Sequence, residues 1–184
     1  FDMSAHLDVL HEFMGMALRN KRAPWMFFKI QGWMLQDLVT AQSMISEYKS
    51  RIQERELEAE KNLPDKERLR YEIKLLNREK LVLKKYIHAV RDVGDGMAWR
   101  MFGHDRATIY ELGSRPAVEG FNLEGLMGEM REFGQSYDLK KGFAILNCIT
   151  NCLRLGDIVS QGEGDTFEVV EVKKGCRKSG RLTR

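Results

Sequence analysis

Two apolar seams on either side of one proline constrain this chain of 184 residues more than any other feature. From about residue 33 to 61 the seam runs Leu38, Ala41, Ile45, Tyr48 and Ile52; after Leu63-Pro64-Asp65 a second one runs Leu69, Ile73, Leu76, Leu83, Ile87 and Val90, with Lys80 at the interrupted position. Heptad-like spacing of this kind places each set on one stripe of a helix. Pro64 fits a first helical turn, where no backbone N–H is needed, and Asp65 and Glu67 suit the positive end of the helix dipole. The spacing therefore predicts two long helices, about 33–61 and 65–91, joined by a tight turn into an antiparallel coiled-coil hairpin. Its charged outer face, Glu54 to Lys61 and Lys66 to Lys85, reads as solvated coil surface. As a unit the hairpin serves either as an arm for self-association or partner docking, or as a self-contained pair.

Before the hairpin, Met3, Leu7, Leu10, Met14 and Leu18 recur at helical spacing and read as a core-facing stripe. His6, His11 and His88 fall in helical contexts and read as structural or surface groups. After the hairpin, residues 93–106 are rich in Gly, aromatic and charged residues. Asp95 and His104-Asp105 tempt a ligand reading, but the glycines match no phosphate-cradling pattern. The segment reads as a junction in which Gly94, Gly96 and Gly103 let elements approach and Trp99 and Phe102 pack. Gly113 and Pro116 then mark a boundary, so residues 1–112 read as a helical region and 113–184 as a separate C-terminal domain.

With 43% hydrophobic and 31% charged residues the composition is globular, and no apolar run approaches the length of a membrane span. The longest apolar patch, Pro24 to Ile30, is short and broken by Lys29, which argues against membrane insertion. Cys148, Cys152 and Cys176 form neither an even set nor a CxxC pair, and the expectation is a reduced, cytoplasmic protein. The net charge is only +3, but the last twelve residues carry Lys173, Lys174, Arg177, Lys178, Arg181 and Arg184 with no acid. Lys174, Arg177, Lys178 and Arg181 are candidates for a nucleic-acid backbone, the alternative being a solvated basic tail. Interleaved glycine and serine make this segment read as a loop.

The chemistry concentrates just ahead of that tail. Asp157 opens an apparent strand at Ile158-Val159, Gln161 to Asp165 has turn composition, and Phe167 to Val172 alternates as a strand that carries Glu171 and Lys173 on one face. On neighbouring antiparallel strands the carboxylates of Asp157 and Glu171 meet and hold a hard cation such as Mg²⁺, with the Lys173 ammonium beside it. Such an ion acidifies a bound water and neutralises charge on a phosphate.

At these residues the chain resembles the PD-(D/E)xK nuclease superfamily, over roughly residues 120–184. The resemblance implies that Asp157 and Glu171 are metal ligands and Lys173 the catalytic lysine, with Mg²⁺ or Mn²⁺ as cofactor. Gly156 replaces the proline of the pattern. The family adds an acid from a preceding helix; residues 122–133 look helical with Asn122 as N-cap, and Glu129 or Glu124 is the candidate. The implied fold class is α+β, a helical region with its coiled-coil hairpin followed by the first part of an α/β restriction-endonuclease-like domain. That domain needs a further strand and helix after Lys173, so the chain, which begins at Phe1 and stops at Arg184, reads as a fragment.

The stretch Phe143 to Leu155 is not settled by periodicity; Asn147, Thr150, Asn151 and Arg154 either face the Asp157 cleft or satisfy one another in a packed segment. The leading reading is a metal-dependent nuclease acting on nucleic acid, with DNA as the expected substrate, recruited through its coiled coil to itself or to a protein partner, with no membrane, and plausibly within a nucleic-acid-processing or antiviral defence assembly. The alternatives are a non-catalytic helical scaffold or a nucleic-acid-binding pseudonuclease.

Overall fold

A computed structural model describes residues 3–19, 24–61, 63–114, 123–140, 143–161, 166–173 and 176–183; within these, the side chains of 17–19, 24, 63, 123–125, 127, 136–140, 173 and 176–183 are not described. Helix α1 is Met3–Arg19, α2 Pro24–Lys61, α3 Lys66–Met101, α4 Arg106–Gly113 and α5 Leu123–Lys140; the strands are β1 Ala144–Leu146, β2 Ile158–Gln161, β3 Thr166–Lys173 and β4 Cys176–Thr183. All neighbours pair antiparallel in the order β1-β2-β3-β4. The protein is α+β, mostly helical with one small sheet.

The hairpin forms, and it is longer than its seams predict. Leu38, Ala41, Ile45 and Ile52 of α2 and Leu69, Leu76, Leu83, Ile87 and Val90 of α3 are buried, whereas Tyr48 and Ile73 are half-buried. A short 3-10 turn, Leu63–Asp65, makes the corner. Toward the turn the buried seam residues Ile52, Ala59, Leu69 and Leu76 stand apart from the main hydrophobic cluster, so this end is an arm two helices thick. Toward the base, α2 starts at Pro24 and absorbs the apolar patch, because Met26, Phe27 and Ile30 pack inward.

Of the segment expected as a junction, residues 93–101 are the last turns of α3 and 102–105 turn into α4, with Phe102 packed in the core as expected. Gly94 is required there: a Cβ would stand 2.1 Å from the Ile149 carbonyl oxygen, so only glycine lets the helix lie against the 3-10 turn Asn147–Ile149. Gly96 faces open space. Asp95 is spent on structure, accepting the Asn151 and Cys152 N–H groups at 2.7 and 2.9 Å. Asp105 caps α4, accepting from the Ala107 N–H at 3.0 Å and the Thr108 hydroxyl at 2.6 Å.

Two further corrections concern the second half. The undecided stretch Phe143 to Leu155 divides into β1, the 3-10 turn and an irregular loop. The tail expected as a loop is the strand β4, which pairs with β3 from Thr166↔Thr183 to Lys173↔Cys176. Its small residues are tolerated because the whole β3 edge is available to satisfy its backbone. A further strand thus follows Lys173 directly.

Helices and sheet share one hydrophobic cluster that draws on both sides of residue 113, from Leu10 and Met34 to Ile145 and Val170. Aromatic pairs stitch the layers: Phe28 stacks on Phe133 at 5.0 Å, Phe27 meets Phe143 at 4.5 Å and Phe102 meets Phe167 at 4.6 Å. Helix α1 adds the Asp37 carboxylate network, in which the buried Asp37 accepts from the Tyr86 hydroxyl at 2.7 Å and meets His6 Nδ1 at 3.2 Å. Burial, and then the bond to Asp37, push the Tyr86 phenol well above its ordinary value.

The polar tie between the layers is Gln31. Its side chain is 1% exposed, donates through Nε2 to the Ala144 carbonyl at 2.8 Å and accepts the Leu146 N–H through Oε1 at 2.9 Å. One amide thus replaces the missing neighbour strand at the outer edge of β1. Buried backbone groups without partners cost about 1–3 kcal/mol each, so Gln31→Leu, which keeps volume but loses both bonds, should lower stability by about 2–4 kcal/mol in urea unfolding. Faster hydrogen exchange at Leu146 should accompany it. Unchanged stability in Gln31→Leu would remove the tie from the account.

Candidate functional site

Asp157 enters the sheet through a glycine that nothing else can replace. Gly156 has φ of +72°, and a Cβ there would lie 2.5 Å from Val169 Cγ1 and 2.9 Å from the Val170 carbonyl oxygen. This left-handed step delivers the Asp157 N–H to the Val170 carbonyl at 2.8 Å. The carboxylate then reaches along β3, its Oδ2 accepting the Val172 N–H. Asp157 therefore straddles Glu171, bound to the residue before it and the residue after it.

Behind the loop stands Asn147, buried to 6% exposure. Its Nδ2 donates to the Leu155 and Gly156 carbonyls at 2.6 and 3.1 Å, and its backbone N–H donates to the Asp157 carbonyl at 2.9 Å. Asn147 is a positioning residue for Asp157, a role that only the folding of the 147–157 loop onto itself discloses. Asn151 and Arg154 are used differently. Asn151 Nδ2 bonds Asp92 and Asp95, and the exposed Arg154 returns its Nε to the Asn151 carbonyl at 3.2 Å. Thr150 closes the turn through the Asn147 and Leu153 carbonyls.

Helix α5 brings Glu129 to Asp157. It packs on the sheet closely enough that a Cβ at Gly128 would touch Val172 Cγ1 at 3.4 Å. Burial, and then the charge of Asp157, push the Glu129 carboxyl up from its ordinary 4.5 to about 7. Cys148 borders the same pair: burial, and then Glu129, push its thiol up to about 12, opposed by Arg91. Arg91 reaches in from α3, donating through Nε to the Cys148 carbonyl at 3.2 Å.

The candidate residues named from sequence thus fare unequally. Glu129 lies within the electrostatic reach of Asp157, and Glu171 lies on β3 between the two residues whose backbone Asp157 bonds. Lys173 is the last residue of β3, level with Cys176 of β4, but its side chain lies outside the described part, as does that of Glu124. Arg177, Lys178 and Arg181 hold β4 register positions opposite Val172, Glu171 and Glu168; their side chains, all of Lys174, and Asn122 lie outside the described residues. Among the described residues no set of three His, Cys, Asp or Glu side chains is arranged to hold a metal ion, and no helix is long and apolar enough to cross a membrane. The chain matches no known protein family, no curated protein and no solved structure.

A carboxyl raised by burial beside another carboxylate has a defined effect on pH dependence. Below 4.5 Glu129 is protonated in both folded and unfolded chains; between 4.5 and about 7 the unfolded chain releases a proton that the folded one keeps, so stability falls as pH rises through that window. Glu129→Gln should therefore stabilise the protein at pH above the window and leave it unchanged below it, by thermal melts across the range. A wild-type and a variant that keep a constant difference across the window would show that the Glu129 carboxyl is not raised by its surroundings.

Proposed function

We propose that the protein is a metal-dependent nuclease that hydrolyses phosphodiester bonds, with DNA as the substrate, and that Asp157, Glu171 and Glu129 hold Mg²⁺ or Mn²⁺. The observation that supports the reading is the way the Asp157 carboxylate turns back onto β3 beside Glu171, accepting the Val172 N–H, while the buried Glu129 of α5 lies within its electrostatic reach. A cation here would offset carboxylate charge that burial and the neighbouring acid disfavour. Hard carboxylate oxygens are the donor set that suits Mg²⁺ or Mn²⁺. Such an ion, when bound, supplies an acidified water and neutralises charge on the phosphate.

The chain's own groups account for the rest. Asn147 and Gly156 hold the Asp157 carboxylate in one orientation, so little reorganisation is needed as charge develops. Lys173, two residues along β3 from Glu171, is the candidate for the lysine that would steady the phosphate and orient the attacking water. In hydrolysis one water oxygen bonds to phosphorus, one P–O ester bond breaks, a proton leaves the water and the leaving alkoxide gains one. The coiled-coil arm extends away from this corner and offers a place for self-association or a partner.

Cleavage of duplex DNA, single-stranded DNA and RNA by the full-length natural protein, with Mg²⁺ or Mn²⁺ and with EDTA, tests the reading. Asp157→Asn, Glu171→Gln and Lys173→Ala should each lower the rate by about 10²-fold or more. Variants that cut as fast as wild type would sink it. Nucleic-acid binding with no cutting in either metal would replace it with the pseudonuclease, and neither binding nor cutting with a helical adaptor.

A further inference from the structure

We propose that the outer face of α3 is a nucleic-acid track, holding the phosphate backbone of a duplex and leading it from the hairpin arm toward the Glu129 and Asp157 corner. The idea rests on the nuclease reading for what happens at its lower end, but the binding it describes needs no cleavage.

Lys74, Arg78, Leu81, Lys85, His88 and Arg91 follow one another at steps of four, three, four, three and three. At 3.6 residues per turn Lys74 to His88 stay within about 80° of one another, and Arg91 lies about 60° further round the helix from His88. Lys74, Arg78, Lys85 and His88 are exposed, Leu81 is 53% exposed, and Arg91 is half-buried. The stripe is about 25 Å long, from the rise of about 1.5 Å per residue, which matches about seven base pairs of duplex. Lys84 stands beside it, also exposed.

What separates this face from ordinary solvated charge is where the acids are. On the arm, Arg55 is paired with Glu58 and Glu72, and Arg68 with Asp65 and Glu72. Among the described residues Lys74, Arg78, Lys84 and Lys85 take part in no ion pair. Carboxylates bound the stripe only at its ends: Glu67 toward the tip and Asp92 at the base, the latter bonded by Asn151 Nδ2 at 3.0 Å. Glu72 and Glu79 point away from the stripe by helical spacing. A row of unneutralised cations with no acid between them is complementary to a phosphate backbone and repels a second copy of itself.

The lower end of the row also arrives at the site. Arg91 bonds the Cys148 carbonyl, and Cys148 lies within the electrostatic reach of Glu129 and Asp157. The seam that the hairpin uses internally leaves this face outward, so the arm can serve as a rail without disturbing its own packing. The charged outer face that the sequence presents as solvated coil surface is thus divided: the arginines Arg51, Arg55 and Arg68 of α2 and the tip are paired with acids, and the row on α3 keeps its lysines and Arg78 available.

Fluorescence anisotropy in EDTA, where no metal-dependent cutting occurs, tests the track on the full chain with duplexes of about 30 base pairs, longer than the stripe. Lys74→Gln/Arg78→Gln/Lys85→Gln should weaken duplex binding at least about tenfold at about 100 mM salt and reduce the salt slope by about two to three. The control Lys49→Gln/Lys61→Gln, which removes exposed charges from α2, should change neither. Duplex DNA and duplex RNA of one sequence identify which backbone the track prefers. Wild-type binding that is absent, retained by the triple variant, or lost equally in the α2 control overturns the proposal. If the wild type cuts nothing when Mg²⁺ is restored while the triple variant still binds more weakly, the nuclease reading fails and the track stands.

Discussion

One buried side-chain amide holds the two layers of this protein in register. Gln31 lies deep in α2 and yet completes the hydrogen bonding of β1, so the sheet cannot slide along the hairpin without stranding two backbone groups and an amide in an apolar interior. The sheet's position then fixes how close α3 passes to the 3-10 turn at Asn147, where Gly94 leaves room for the Ile149 carbonyl. That turn carries Asn147, which ties down the Gly156 loop, and the loop aims Asp157. The acid at the candidate site is therefore two hydrogen bonds removed from the helix that anchors it, Gln31 to Leu146 and the adjoining Asn147 to Asp157.

The same chain of contacts explains an arrangement that is costly for stability. Burial, and then the charge of Asp157, push the Glu129 carboxyl up to about 7, an arrangement that costs stability wherever the group is ionised. Strain of this kind collects where a ligand relieves it. Nearby, the Asp95 and Asp105 carboxylates accept backbone N–H groups, as Asp157 does through Oδ2, so such a bond does not by itself distinguish the acid at the site.

Much of this was legible in the residues. The hairpin followed from seams at Leu38 to Ile52 and Leu69 to Val90, because heptad spacing admits few other structures. The antiparallel β2 and β3 strands followed from alternation. The pairing of Glu129 with Asp157 was nameable only as a candidate, since helix spacing says which face α5 offers but not which strand it meets. Less was legible where long-range contacts decide. The extension of α3 through Gly94 and Gly96 opposes local propensity and is won by packing against Ile149. The β4 strand is made by an open β3 edge rather than by its own composition. Asn147 as a positioning residue depends on a loop returning across ten residues, from Asn147 to Asp157, which no local pattern encodes.

The central claim is that Glu129, Asp157 and Glu171 form one cation site. Titrating isotopically labelled protein with Mn²⁺ and following paramagnetic broadening of amide signals tests it most directly. The account predicts that signals of residues around Glu129, Gly156 to Ile158 and Val170 to Val172 disappear first, and that Asp157→Asn abolishes the effect at the same Mn²⁺ concentration. Broadening that begins elsewhere, or that is unchanged in Asp157→Asn, would contradict it.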